Sequence, residues 1–373
     1  MNNKGSKFKM SILLGDFTMP LHRPGMSTWS ETLDMDIQRL AMLDDLGYSE
    51  TWLGEHYTSR WENIPAPDLI IARLIPETKS MKLCTGVTCM PNHNPFHLAH
   101  RIAQLDQMLK GRFMWGVGPG GFPGDIQAAG FDLDSGDHRK MTTQAIDMVL
   151  KLWDNPDPGR YKNEFWDFTI TEPMKDIGMS FHIKPYQTPH PPIAVAGSRP
   201  DSKTLEMAGR RGWIPMSINF LPTSALKSQW LSVEKGARDA GKEPPSRSTW
   251  RIARDVLVAD TTKEARKEAL KGSIGLAYEE YFLRILSKIP GRLQQLKIDP
   301  EMSDRDVTLE YLVENIWIVG SVDEVEEKIR QLYSDVGGFG VLVTIGHEWN
   351  PKKLWENSHE VLSKEIIPRL SNL

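Results

Sequence analysis

Residues 81–121 read MKLCTGVTCMPNHNPFHLAHRIAQLDQMLKGRFMWGVGPGG. The β-rich run Met81–Met90 stops at Pro91, and Pro95 then opens an amphipathic run, Pro95–Lys110. A second β-rich run, Arg112–Val117, follows at once and leads into Gly118, Gly120 and Gly121. Strand, helix and strand joined this tightly predict a βαβ unit with its two strands parallel.

The alternation extends outward in both directions. Further β-rich runs lie at Phe8–Leu14, Tyr48–Leu53, Ile193–Ala196, Gly212–Ser217, Trp250–Val258 and Gly340–Ile345. Amphipathic runs separate them at Trp29–Leu46, Pro67–Lys79, Lys140–Trp153, Pro200–Arg210, Thr223–Ala240, Asp323–Tyr333 and Pro351–Leu370. Pro67 and Pro95 suit the first helical position. Ser321 with Glu324 predicts a capping box. Eight strands in a βαβα series give an α/β fold, either a doubly wound sheet or a (β/α)8 TIM barrel, and count and length favour the barrel. A dinucleotide fold would need G-x-G-x-x-G after the first strand, where Gly15-Asp16-Phe17 stands instead. Gly116, Gly118, Gly120 and Gly121 come too late and are broken by Pro119.

The expected organisation is one barrel domain over residues 1–373 with two insertions. Residues 155–192, rich in proline and aromatics, predict a hairpin excursion over the barrel. Residues 261–314 predict a charged helical segment on the side where barrel active sites lie, read either as a lid over an apolar pocket or as a passive arm.

Composition narrows the function. The chain is 40% hydrophobic and 25% charged with a formal net charge of -4, so no basic excess argues for nucleic acid or an anionic membrane as partner. No apolar run approaches the length of a membrane span, and MSILL is too short for a signal peptide. Cys84 and Cys89 are the only cysteines; they fall in one strand facing opposite ways and fit a reducing cytoplasm.

Chemistry in this fold gathers at the C-terminal ends of the strands. Those ends supply Gly15 and Asp16; Gly54, Glu55, His56 and Tyr57; Met90, Asn92 and His93; Gly118 and Gly120; Gly197 and Ser198; Ser217 and Asn219; and Gly346, His347, Glu348 and Trp349. Glu55-His56 is the sharpest pair, since a histidine at a strand end can move protons near neutral pH; its other reading is a satisfied structural histidine. Gly197-Ser198-Arg199-Pro200-Asp201-Ser202 joins strand to helix and suits either a phosphate cradle or an ordinary N-cap by Ser198 or Asp201. His93, His97 and His100 lack a completing carboxylate or cysteine, so no metal site is expected. Neither a G-x-S-x-G elbow nor a P-loop is present.

At these residues the chain resembles the bacterial-luciferase-like flavin monooxygenases. TWLGEHYTSRWENIPAPDLIIA is similar to that family's EHH segment, residues 85–121 to its third and fourth strands, and IAVAGSRPDSKTLEMAGRRGW to its phosphate loop. GEHYTSRWE and GVGPGGFPGD resemble limonene monooxygenase-type members most. The resemblance implies reduced FMN supplied by a separate NAD(P)H:flavin reductase, O2, a flavin hydroperoxide, a small apolar organic substrate and a homodimer. It assigns His56 to proton transfer at the flavin, with Glu55 orienting the strand end. Thr88, Cys89 and Met90 back the flavin ring, in a segment where the family often carries a non-proline cis peptide. Gly118, Arg139, Gly197, Ser198 and Ser202 hold the cofactor. Tyr57, Trp61, Phe96, Phe122, Trp317 and Trp349 are expected to form a dry substrate pocket. Two departures stand out: Tyr57 replaces the family's second histidine, and Pro119 stands where luciferase has a phosphate-binding arginine, leaving Arg139 or Arg199 to supply that contact. The competing expectations are a deazaflavin-dependent hydride-transfer enzyme, a non-catalytic flavin-binding protein and a hydrolase on the same barrel.

Overall fold

The β-rich runs become the staves of a closed parallel barrel in the computed structural model, which describes residues 11–132 and 135–373. Its strands are β1 Leu13–Leu21, β2 Glu50–Leu53, β3 Lys82–Cys89, β4 Phe113–Gly118, β5 Ile193–Gly197, β6 Ile214–Ser217, β7 Arg251–Arg254 and β8 Val341–His347. Each pairs in parallel with its neighbours, and β8 closes the ring on β1. Helices α1 Trp29–Asp45, α2 Pro67–Leu74, α3 Pro95–Leu109, α4 Asp137–Trp153, α5 Lys203–Arg211, α6 Thr223–Asp239, α7 Val322–Val336 and α8 Lys352–Val361 follow the strands in turn. Pro67 and Pro95 do open their helices.

The alternation of side chains along each strand divides the core in two. Outward residues such as Leu83, Trp115, Val195, Ile252 and Leu342 pack under Leu40, Ile102, Val149 and Ile329 of the helices. Inward residues Trp52, Cys84, Met114, Ala194, Met216, Ala253 and Val343 fill the barrel. At its base Arg251 clamps Glu50 through two hydrogen bonds, at 3.0 and 2.9 Å, while Trp52 donates to the same carboxylate at 2.9 Å. A buried charge pair satisfied this fully plugs the floor and leaves the opposite end as the open one.

Helices α5 and α6 touch backbone to backbone. A Cβ on Gly209 would stand 1.9 Å from the Val233 carbonyl oxygen, and one on Gly236 would stand 1.8 Å from that of Glu206. Neither atom can retreat without moving a helix. Gly236→Ala is therefore expected to destabilise the protein by about 3 kcal/mol, read as a lower midpoint in urea unfolding; an unchanged midpoint would contradict this packing.

Four expectations need correction. The first strand, expected at Phe8–Leu14, runs Leu13–Leu21; Phe8–Met10 lie outside the described residues. Gly15 and Asp16 consequently sit inside β1, and Asp16 pairs with Arg39 of α1 at 2.6 Å. The seventh strand, expected over Trp250–Val258, breaks after Arg254, and Val256–Val258 pairs instead with Ile318–Gly320 outside the barrel. Ser321 makes no side-chain cap, because Glu324 is taken by Thr262 at 2.6 Å and by Lys328 at 3.0 Å. Residues 159–170 hold an antiparallel hairpin, and residues 262–315 are mostly helical.

Candidate active site

The open end of the barrel is lined by what its inward positions lack. Counting on from Trp52, Cys84, Met114 and Ala194, the next inward residues are Gly54, Gly86, Gly116 with Gly118, and Ala196. Four neighbouring strands thus bring almost no side-chain volume to one side of the mouth. Gly86 and Gly116 are obligatory, since a Cβ there would lie 2.8 Å from Trp52 and 2.0 Å from the Thr85 carbonyl. Gly54 is different: its Cβ would have no neighbour nearer than 3.8 Å. Phe17, Met19, Val87, Ala196 and Ile218 remain partly exposed around this space.

The peptide between Gly86 and Val87 is cis, and the β3–β4 register shifts between Thr85 and Thr88. This moves the wall of the mouth two residues upstream of the expected Thr88–Met90 segment. Val87 reaches toward Gly118, whose added Cβ would stand 2.8 Å from it. Thr88 instead accepts a hydrogen bond from Trp115 at 3.2 Å, Cys89 is buried against Glu55, and Met90 packs in the outer core.

His56 stands at the rim between two buried carboxylates. Its Nδ1 bonds Asp125 at 3.1 Å, and its Nε2 lies 3.1 Å from Glu62. That second contact is an ion pair, so both ring nitrogens of His56 face a carboxylate. Asp125 is held by Thr58 Oγ1 at 2.6 Å and by the Thr58 and Tyr57 amides; against burial, the His56 hydrogen bond first and then that of Thr58 keep its carboxyl below the usual range. Burial of His56 would lower its pKa; the charge of Glu62, then the bond to Asp125, outweigh burial and push it up to about 10. His56 is therefore an imidazolium through the neutral range, not a base poised near 6.5. The stabilisation this gives is complete below the ordinary value and is lost as pH rises through the folded one. In an NMR titration the His56 ring should stay protonated through neutrality and titrate near 10; a midpoint near 6.5 would refute the clamp.

Glu55 faces the other way. Its carboxylate accepts from Tyr57 at 2.8 Å and the Cys89 amide at 3.2 Å and pairs with His93 at 2.9 Å. Both oxygens are spent internally, which places Glu55, grouped with His56 as catalytic, in the orienting role expected of it at the strand end. Tyr57 lies on an outer groove of about 270 Å³ shared with Trp29, His56 and Arg60.

Of the six aromatics expected to form a pocket, two stand beside His56 and the insertion at the rim. Phe122 packs on His56 at 4.4 Å, and Trp61 stacks on Tyr281 at 5.5 Å. Phe96, by contrast, packs with Phe168 and Phe181 beneath the 155–192 insertion, Trp317 is buried edge-on against Tyr278, and Trp349 stacks on His359. None of these three faces the mouth. Asn219 and His347, expected at the rim, are buried around Asp255, which also accepts from Tyr278 at 2.7 Å. This network fastens the helical insertion to the barrel.

At the end of β5, Ser202 caps α5 by accepting from the Leu205 amide at 3.3 Å, and Gly197 makes room for Leu205 and Gln229. The capping residue is Ser202, not Ser198 or Asp201. Ser198 instead accepts from Arg292 of the insertion at 3.2 Å. Arg139 and Arg199 are exposed nearby. The helix N-terminus, Ser198 and the three arginines make an anion cradle at the edge of the glycine-lined mouth.

Residues 13–338 match the family described as luciferase-like monooxygenase. The chain belongs to this family. Among relatives of this luciferase-like monooxygenase, 3,6-diketocamphane 1,6-monooxygenase of Pseudomonas putida is 31% identical over 97% of the chain and 99% of the relative. Limonene 1,2-monooxygenase of Rhodococcus erythropolis is 26% identical over 96% and 86%. A solved structure of the oxygenating constituent of 3,6-diketocamphane monooxygenase from Pseudomonas putida, a type II Baeyer-Villiger monooxygenase in complex with FMN, superposes with a TM-score of 0.88. It has 32% identity and covers 96% of this chain and 99% of that one. The expected barrel and family are thereby borne out. Among the described residues, no helix is long and apolar enough to cross a membrane.

Sequence reasoning missed Glu62, Asp125, Tyr281, Arg292 and the Gly86–Val87 wall. Asp125 closes the GFPGD turn after the fourth strand and Glu62 lies six residues past His56, so both followed strand ends. Tyr281 and Arg292 carried no signal within the long charged insertion, where Arg292 lies in a bend between two helical pieces.

Proposed function

We propose that this enzyme is the oxygenase component of a two-component flavin monooxygenase. It takes reduced FMN from a separate NAD(P)H:flavin reductase and uses O2 to oxygenate a small apolar organic molecule, working as a cytoplasmic homodimer. The observation that carries the reading is the anion cradle at the edge of a side-chain-poor slot, in a chain 32% identical to an FMN-binding monooxygenase over nearly its whole length.

The residues present fit the cofactor. Ser198, Arg139, Arg199 and Arg292 suit its phosphate; Gly54, Gly86, Gly118 and Ala196 leave room for its ring. When bound and reduced, FMN supplies the activation of O2. His56 holds a proton on Nε2 and a fixed positive charge at the rim, placed to stabilise negative charge that develops during oxygen transfer. Trp61, Phe122 and Tyr281 exclude water from the reacting centre. Tyr281 donates to Glu62 at 2.6 Å, which ties the insertion to the His56 clamp across the mouth.

The test is anaerobic titration with reduced FMN, then exposure to 18O2 with cyclic ketones and terpenes as trial substrates. Tight binding of reduced FMN and one 18O atom in an organic product support the reading. Failure to bind reduced FMN overturns it and turns attention to a deazaflavin.

A further inference from the structure

A chain of polar contacts leads from the outer surface between α2 and α3 to the end of β2. Asp68, in the first turn of α2, pairs with Nε of Arg101 on α3 at 2.7 Å. Arg101 Nη2 lies 3.2 Å from Nδ1 of His93. On the far side of that ring, Nε2 lies 2.9 Å from Glu55 Oε1 and 3.1 Å from Oε2. The chain thus runs from a half-exposed guanidinium to a buried carboxylate.

The hydrogens along it have one consistent arrangement. A guanidinium offers donors only, so Nδ1 of His93 must accept and carries no proton. The ring is then neutral, with its proton on Nε2, where it donates to Glu55. An imidazolium would set a second N–H against the guanidinium. The opposite tautomer would turn a lone pair toward the carboxylate. Glu55 also accepts from the Tyr57 hydroxyl at 2.8 Å, the Cys89 amide at 3.2 Å and Asn92 Nδ2 at 3.5 Å. Burial, then the charge of Glu55, raises the Tyr57 pKa, so that hydroxyl keeps the proton it donates.

The mouth depends on where Glu55 points. Glu55 stands between Gly54, which leaves room in the slot, and His56, which carries the charge at the rim. Through the Cys89 amide it also fixes β3 two residues past Val87. A turned Glu55 carboxylate would release the ends of β2 and β3 together, and small displacements at a reacting centre are costly.

Resting on the oxygenase reading above, we infer that Arg101 is a positioning residue for oxygen transfer. It selects the neutral form of His93 with the proton on Nε2. That form holds Glu55, and Glu55 holds the ends of β2 and β3 around the slot. Arg101 acts through His93 and Glu55, not by contact in the mouth.

The experiment uses the full chain with isotope-labelled histidine, as wild type, Arg101→Met, Arg101→Lys, His93→Ala and His93→Gln. Ring carbon and nitrogen NMR shifts at neutral pH, without flavin, report which nitrogen of His93 carries a proton; the signal missing from His93→Gln assigns it. Product per flavin oxidised and FMN affinity are measured alongside. The wild type should show a neutral His93 with its proton on Nε2. Arg101→Met should show a proton on Nδ1, lose roughly tenfold in product per flavin oxidised, and keep its FMN affinity. Arg101→Lys also offers donors only and should restore the tautomer and part of the yield. His93→Gln keeps a donor for Glu55 and should recover part of the yield lost in His93→Ala. A proton on Nδ1 in the wild type overturns the inference while the cofactor reading stands. So does an Arg101→Met protein in which only one of the His93 signal and the yield changes, or neither. A wild type that makes no oxygenated product removes the oxygenase reading, and the role of Arg101 in oxygen transfer falls with it.

Discussion

Replacing His56 with alanine is expected to leave flavin binding in place while lowering product formed per flavin oxidised by about a hundredfold. The ring is the most exposed member of a cluster whose other two members are buried carboxylates, and it is the cluster's one positive charge among the described residues. Without the imidazolium, Glu62 and Asp125 face the mouth as unbalanced negative charge, where negative charge must also develop during oxygen transfer. The loss should therefore exceed that of a single missing hydrogen bond. Flavin should still be oxidised, because O2 consumption needs only reduced cofactor; the uncoupled fraction should appear as H2O2.

The same substitution also carries a stability cost, and the two effects must be separated. Removing one partner from a buried charge cluster costs about 3 kcal/mol, at the low end here because Thr58 and Tyr281 continue to bond the carboxylates. His56→Gln keeps a donor and most of the volume but not the charge. It should fold better than His56→Ala and couple flavin oxidation to product no better. Normal product yield per flavin oxidised in either variant, measured alongside peroxide release, would remove His56 from the chemistry.

The barrel was legible because it rests on local, repeated signals. Each strand is a short apolar run and each helix an amphipathic one, so a boundary error of a few residues left the topology intact. Errors arose where a long-range partner competed with a local rule. Glu324 could have capped its own helix, but Thr262 of a distant helix holds it instead. Asp16 was read at the end of the first strand, yet it lies inside β1 and is paired there with Arg39 of α1. At the site, the motif-borne residues His56, Gly118 and Ser198 fall together around one opening, whereas residues chosen for being aromatic divided by where the insertions fold. Phe96 is covered by the 155–192 hairpin, and Trp317 by the base of the helical insertion. No periodicity reports what a non-repetitive segment will cover, and for that reason Arg292 and Tyr281 were invisible.

The glycine wall gives the other large effect, and it discriminates room from rigidity. Gly54→Phe should bind FMN at least a hundredfold more weakly than the wild type while folding normally. The position has no left-handed backbone requirement, and the nearest atoms to an added Cβ are 3.8 Å away, so the ring can only extend into the mouth. Gly54→Ala should be nearly silent, since a methyl occupies space that exists. Gly116→Ala should behave in the opposite way: its Cβ would meet the Thr85 carbonyl oxygen at 2.0 Å, so the barrel itself is distorted and solubility or melting temperature falls. Flavin fluorescence titration and thermal unfolding of the three variants separate the cases. If Gly54→Phe binds FMN as the wild type does, the flavin ring does not lie against the β2 side of the mouth, and the slot defined by Gly54 and Gly86 has some other occupant. If it fails to fold, the space beside Gly54 is smaller than the backbone geometry requires. A folded protein that has lost FMN would mean that the absence of side chains on these strands is what admits the cofactor, and that the phosphate cradle alone cannot hold it.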